Sequence, residues 1–116
     1  MNPTELKLRT KQFALRIIQL TDAIPKATAG RAIAAQIVSS GTPVAANYRA
    51  SCRARSQAEF IAKIGTVEEE ADETAFWLEL LVESGMRSEK KLSSLLTAAN
   101  ELAAIMAASR KTAAGK

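Results

Sequence analysis

Apolar residues recur along four segments of the chain at spacings of three and four residues, which is the pattern of amphipathic helices. The third segment keeps strict spacings of 4, 3, 4, 3, 4 and 3. Its residues are Phe60, Ile64, Val67, Ala71, Thr74, Leu78 and Leu81. The other segments carry Leu6, Thr10, Phe13, Ile17, Leu20 and Ile24; Ile33, Ile37, Ser40, Val44 and Tyr48; and Leu92, Leu95, Ala99, Leu102 and Met106. A period near 3.5 is that of a bundle seam, so the sequence predicts an all-α protein.

Capping residues and helix breakers set the expected ends of these helices. Asn2, Ser56 and Ser88 are placed to cap helix starts, while Pro25 and Gly85 are placed to end helices. The predicted helices cover about 3–24, 28–52, 57–84 and 89–110, followed by a frayed tail over 111–116. Four helices joined by short connections favour an antiparallel up-down-up-down four-helix bundle, a single domain over residues 1–116.

The second helix carries Gly41-Thr42-Pro43 in its interior. Proline removes one hydrogen bond and crowds the carbonyl of Ser39, four residues earlier. We expect a continuous helix kinked near Pro43, because the apolar pattern resumes in register after it. Two shorter helices are the alternative.

Charge is sorted by segment. Residues 1–55 carry nine Lys and Arg against two acids, residues 56–86 carry one Lys against eight acids, and residues 87–116 carry six against two. An acidic helix beside basic neighbours can stabilise the fold, direct pairing between subunits, or leave a basic surface for a polyanion.

Two helices carry apolar residues away from their seams. Leu8 and Leu15 lie opposite the seam of the first helix, and Phe76 and Leu80 lie far from that of the third, with Trp77 between. A wide core or scattered surface residues would explain them. We favour an oligomer interface, because aromatic side chains on a charged face are typical anchors.

Enzymatic chemistry has little support in the residues. The chain has no histidine, its single cysteine, Cys52, excludes an intramolecular disulfide, and no phosphate-binding glycine loop occurs. A cation site at Glu59, Glu70 and Glu73 is conceivable, but pairing of these acids with arginines is favoured. We expect a non-enzyme without cofactor or metal. Since no apolar run is long enough to span a membrane, we expect a cytoplasmic protein.

The densest cationic stretch includes Arg49, Arg53 and Arg55. In one interpretation these arginines pair with acids of the third helix, within a structural network of Asn47, Arg49, Glu59, Glu70 and Glu73. In the other they contact phosphates, with the positive surface extended along the first helix. The candidate nucleic-acid contacts are then Lys7, Lys11, Arg16, Arg49, Arg53 and Arg55.

Three runs of sequence resemble a known family. They are Ser40–Ala50, Arg53–Lys63 and Val67–Thr74, the last continued by Phe76–Leu81. They are similar to segments of the bacterial four-helix bundle family that includes the protein encoded in intervening sequences of large-subunit ribosomal RNA genes. The likeness extends from about Arg9 to about Arg110.

The resemblance implies an antiparallel bundle, often assembled as a homopentamer. In a related branch, the accessory protein of diversity-generating retroelements, a basic pentameric barrel works with a reverse transcriptase and RNA. This chain departs from the commoner Asn-Ile-Ala-Glu-Gly pattern by having Asn47-Tyr48-Arg49-Ala50-Ser51, so its local polar network must differ.

The sequence therefore leaves two hypotheses about function. The first is a homo-oligomeric scaffold that binds nucleic acid, RNA before DNA, through its backbone. The second is a protein–protein interaction module whose cations are used in ion pairs with the third helix.

Overall fold

Four helices build the structure, a computed structural model that describes residues 1–115. The helices are α1 (Pro3–Thr21), α2 (Thr28–Ser51), α3 (Gln57–Glu83) and α4 (Glu89–Ala113). Consecutive helices pack side by side and α4 closes against α1, while the diagonal pairs do not touch within residues 1–115. The bundle measures 45 × 20 × 20 Å. The predicted all-α four-helix bundle is confirmed.

The helix starts follow the caps read from the sequence. Asn2 accepts a hydrogen bond from the Glu5 backbone N–H at 2.8 Å, and Ser56 accepts one from the Glu59 backbone N–H at 3.1 Å. These side chains satisfy backbone donors that a helix leaves unpaired in its first turn.

Two helix ends differ from expectation. α1 stops at Thr21 rather than near residue 24, because the residue before Pro25 is disfavoured in helical conformation and the turn is made ahead of it. α4 continues to Ala113, so residues 111–113 are helical rather than frayed. Its stop signal is Gly115, whose φ of 77° suits a residue without a Cβ. Residue 116 of the predicted tail lies outside the described residues.

α2 runs through Pro43 as one helix, so the alternative of two short helices is wrong. The kink near Pro43 stays a prediction.

The predicted seams form the core. Every seam residue is buried except Ile33 and Phe60, which are half-buried against it. Two contacts align the first three helices at one level. A Cβ on Gly41 would lie 2.8 Å from Ile17 Cγ1, so the glycine allows α2 to approach α1 closely. One residue earlier on α2, the Ser40 hydroxyl lies 2.9 Å from the Thr74 hydroxyl of α3.

Candidate nucleic-acid interface

A groove with four cations runs between α1 and α2, at the end of the bundle where α1 begins and α2 ends. Its volume is about 510 Å³. The lining residues are Lys7, Leu8, Lys11, Thr42, Ala45, Ala46, Arg49 and Arg53. We call it the basic groove. No carboxylate is among the residues that line it.

Helical spacing explains why these side chains share one surface. Thr42, Ala46, Arg49 and Arg53 follow one another on α2 at intervals of four, three and four, which places them in one row. The small side chains of Thr42 and Ala46 leave the space that forms the groove. Lys7 and its neighbours on α1 supply the opposite wall. Like charges thus face each other, and such a cleft attracts anions.

The cations of the basic groove have no acidic partner among residues 1–115. The ion pairs of this part of the chain are Arg9–Glu101 at 2.6 Å, Lys63–Glu59 at 4.0 Å and Arg110–Glu68 at 2.8 Å. The interpretation in which Arg49, Arg53 and Arg55 pair with α3 acids of the same chain is therefore wrong.

At the predicted polar network, the contact from α2 to α3 is made by an amide rather than an arginine. Asn47 donates through Nδ2 to Glu70 Oε1 at 2.8 Å. Burial raises the pKa of the Glu70 carboxyl, the Asn47 hydrogen bond lowers it, and the charges of Glu73 and Glu69 raise it again. Arg49 lies outside this contact, in the basic groove. The predicted network is therefore reduced to Asn47 and Glu70, with exposed Glu73 acting through its charge.

Two more predicted residues take different positions from those expected. Glu59 serves the start of α3, where its carboxylate accepts the Arg55 backbone N–H at 3.2 Å, so it does not join the Asn47 contact. Arg55 lies in the connection that follows α2, at the same end as the basic groove. Arg16 donates to Ser94 Oγ at 3.0 Å, which turns its guanidinium toward α4 and away from the groove.

The predicted interface residues fall on two faces rather than one. Leu8 and Leu15 are 58% and 52% exposed on α1, whereas Phe76 is 50% exposed on α3. These helices are diagonal in the bundle and do not touch. Leu80 is half-buried beside Phe76 on α3. Trp77 packs partly against the core and meets the Phe76 ring edge-on at 5.1 Å.

Sequence reasoning missed Ile18, an apolar residue of α1 that is 51% exposed. Its signal was available, because it follows Leu15 by three residues and therefore extends the same row. The Arg9–Glu101 ion pair had no such signal, since it depends on the relative height of α1 and α4.

Tyr48 is buried, and its neighbour Cys52 is half-buried. Burial raises the pKa of Tyr48, and a hydrogen bond with Cys52 and its charge raise it further. The phenol therefore stays protonated at neutral pH. Within residues 1–115, no group of three or more His, Cys, Asp or Glu side chains could hold a metal ion.

By length and composition alone, α4 could cross a membrane. The bundle buries Leu92, Leu102 and Met106 of this helix, whereas Leu96 and Ile105 are half-buried, and 28% of the apolar window is buried. The core helix of a soluble protein passes the same test.

Comparison with known proteins identifies the family of the chain. The sequence pattern of one family, described as the 23S rRNA-intervening sequence protein, matches residues 4–108. The chain belongs to this family. A solved structure is similar at a TM-score of 0.85 and 30% sequence identity, over 91% of this chain and 98% of that one. It is a protein of unknown function from the S23 ribosomal protein family of Bacteroides thetaiotaomicron. A search of the curated proteins finds none that matches.

Proposed function

We propose that this family member is a non-enzymatic, homo-oligomeric scaffold of the bacterial cytoplasm that binds nucleic acid, RNA before DNA, through the phosphate backbone. The observation that carries the proposal is the basic groove, in which four cations converge without a carboxylate. Arg55 extends this positive surface around the end of the bundle.

The chemistry of the groove favours the backbone over the bases. Its other side chains are aliphatic or hydroxylic, and aromatic residues make up only 4% of the chain. Sequence-tolerant binding by base stacking needs aromatic surfaces, whereas phosphate contacts need only cations at suitable spacing.

Assembly would bring several copies of the basic groove together. The resemblance implies five copies, and each would bring its own groove to one surface. Because the free energies of phosphate neutralisation add, a ring of weak patches binds a polyanion tightly. The half-exposed Leu8, Leu15 and Phe76 support association, since exposed apolar side chains on a charged surface commonly mark contacts.

The test is multi-angle light scattering on the purified protein with and without a mixed RNA pool, at about 0.15 M salt, where phosphate contacts are still populated. We expect a multimer whose mass rises with RNA and returns to its starting value in high salt. A multimer that ignores RNA would favour the second candidate, an interaction module, for which the exposed apolar and acidic residues of α3 are the supporting observation. A monomer would overturn the scaffold.

A further inference from the structure

A row of exposed side chains on α3 complements the basic groove. Glu69, Glu73, Phe76, Leu80 and Glu83 follow one another at spacings of four, three, four and three, outside the core seam. We call this the acidic row. A helix with a second row of period 3.5 has a second surface for another helix or groove. The other helices leave Glu69, Glu73, Phe76 and Glu83 exposed and Leu80 half-buried.

The basic groove has an apolar continuation. Toward the other end of the bundle, α1 presents Leu15 and Ile18, which are 52% and 51% exposed. On the facing side of α2, Ser39, Ala35 and Ala32 continue the row of Thr42 with small, exposed side chains. Beyond the cationic end, the exposed side chains are therefore apolar on α1 and small on α2.

We propose that a second copy of this chain fills the inner part of the groove with its acidic row, Glu69 meeting Lys11 and Arg49 while Phe76 meets Leu15 and Ile18. The inference rests on the homo-oligomer part of the proposed function and names the surfaces that form its contact.

The register of the two surfaces favours a copy over an unrelated partner. Ile18 follows Lys11 by seven residues, and Phe76 follows Glu69 by seven. The charged and apolar contacts are therefore both about 10 Å apart along parallel helix axes, at 1.5 Å per residue. A second copy therefore meets the charged and the apolar contact in one register.

The heights of the two rows also agree. The Gly41–Ile17 approach and the Ser40–Thr74 hydrogen bond place Ile17 and Thr74 near one level. Because Ser40 precedes Gly41 on the antiparallel α2, Phe76 is about two residues, or about 3 Å, from the height of Ile18. Two copies standing side by side in the same direction need an axial shift of only about 3 Å to bring the surfaces together.

The contact joins two different surfaces, so after the first contact one copy still has a free acidic row and the other a free groove. Such heterologous contacts close into rings when the rotation per copy allows it. The acidic row carries charge at the level of Lys11 and Arg49 but not nearer the end of the bundle, where its positions are Ala62 and Thr66. Lys7 and Arg53 therefore remain available to phosphate in the assembled form.

Two variants with complementary defects test the contact. Lys11→Glu with Arg49→Glu disables the groove, and Glu69→Lys with Phe76→Ser disables the acidic row. Light scattering should show a multimer for the unchanged protein and a mass near the 12.4 kDa chain for each variant alone. Mixed in equal amounts, the two variants retain one intact groove and one intact row. They should form a heterodimer of twice the chain mass and nothing larger.

Controls separate the possible failures. Glu79→Lys reverses a charge on the α3 side that faces the α3–α4 cleft and should leave the mass unchanged, and circular dichroism melting checks that every variant is folded. Folded variants that keep the multimer mass, or a mixture that stays monomeric, would overturn the assigned surfaces. The scaffold proposal would survive this result if the unchanged protein is a multimer that binds RNA. If the masses follow expectation but RNA does not bind, the contact stands and the RNA function fails.

Discussion

Neutralising Lys7 and Arg53 together should weaken RNA binding without changing the fold. Both side chains line the outer part of the basic groove, and neither belongs to an ion pair of residues 1–115. The substitutions Lys7→Gln and Arg53→Gln remove the charge and shorten the side chain but keep it polar. Both positions are exposed, so the bundle has little reason to change.

The size of the effect follows from counterion release. Each phosphate neutralised on a single strand contributes about 0.7 to the slope of log K against log salt. At about 0.15 M salt, one cation is then worth roughly fourfold in affinity, and two are worth roughly tenfold or slightly more. The slope itself should fall by about 1.4 for each copy that contacts the strand.

The assay is fluorescence anisotropy with a labelled single-stranded RNA, titrated across a series of salt concentrations. Lys26→Gln with Arg31→Gln is the matched control, because it removes the same charge from the opposite end of the bundle. The control should retain the affinity and slope of the unchanged protein.

Equal loss in both double variants would show that net charge rather than the groove attracts RNA. An unchanged slope in the Lys7 and Arg53 variant would show that these cations do not contact phosphate. Either result refutes the assignment of the groove.

Three further predictions concern the fold. Gly30→Ala should lower the unfolding midpoint strongly, since its Cβ would lie within bonding distance of the Pro25 carbonyl oxygen; an unchanged urea midpoint would refute this. Gly65→Ala should stabilise by about 1 kcal/mol, because alanine favours helix and its Cβ would only touch Arg110 Cδ at 3.7 Å; a loss in the same assay would contradict it. Glu70→Gln should gain stability relative to the unchanged protein between pH 4 and pH 7. Burial raises the native pKa of this carboxyl, so the charged form destabilises the native state as pH rises through that pKa; an equal difference at both pH values would exclude this.

Most of the fold could be predicted because bundle architecture is encoded locally. The seam of α3 and the Ser56 cap specify that helix without reference to any other part of the chain. The end of α1 was predicted too late, because Pro25 also restricts the residue before it. The end of α4 was marked by Gly115, a signal present in the sequence and not used.

The site was harder to predict because charge composition does not define rotation about a helix axis. Successive residues are 100° apart, so Asn47 and Arg49 differ by about 200° around α2. Once Asn47 faces Glu70, Arg49 must face away from α3 and into the groove. The positive segment next to the negative one therefore suggested ion pairs within the chain. The rotation of α2 excludes these pairs for Arg49, because it directs this side chain away from α3.

This geometry shows that the separated charges of the chain mostly do not pair with one another inside the folded chain. Residues 1–55 hold nine cations, and in residues 1–115 only Arg9 among them joins an ion pair. Folding of one chain thus leaves most of both charged surfaces unneutralised. In the proposed contact, opposite surfaces at similar heights on one molecule would attract copies of it side by side, and the cations beyond the acidic row would remain available to phosphate. Assembly should therefore weaken as salt rises, even without RNA. Sedimentation velocity at low and high salt would detect this, and a mass independent of salt would assign the contact to the apolar residues alone.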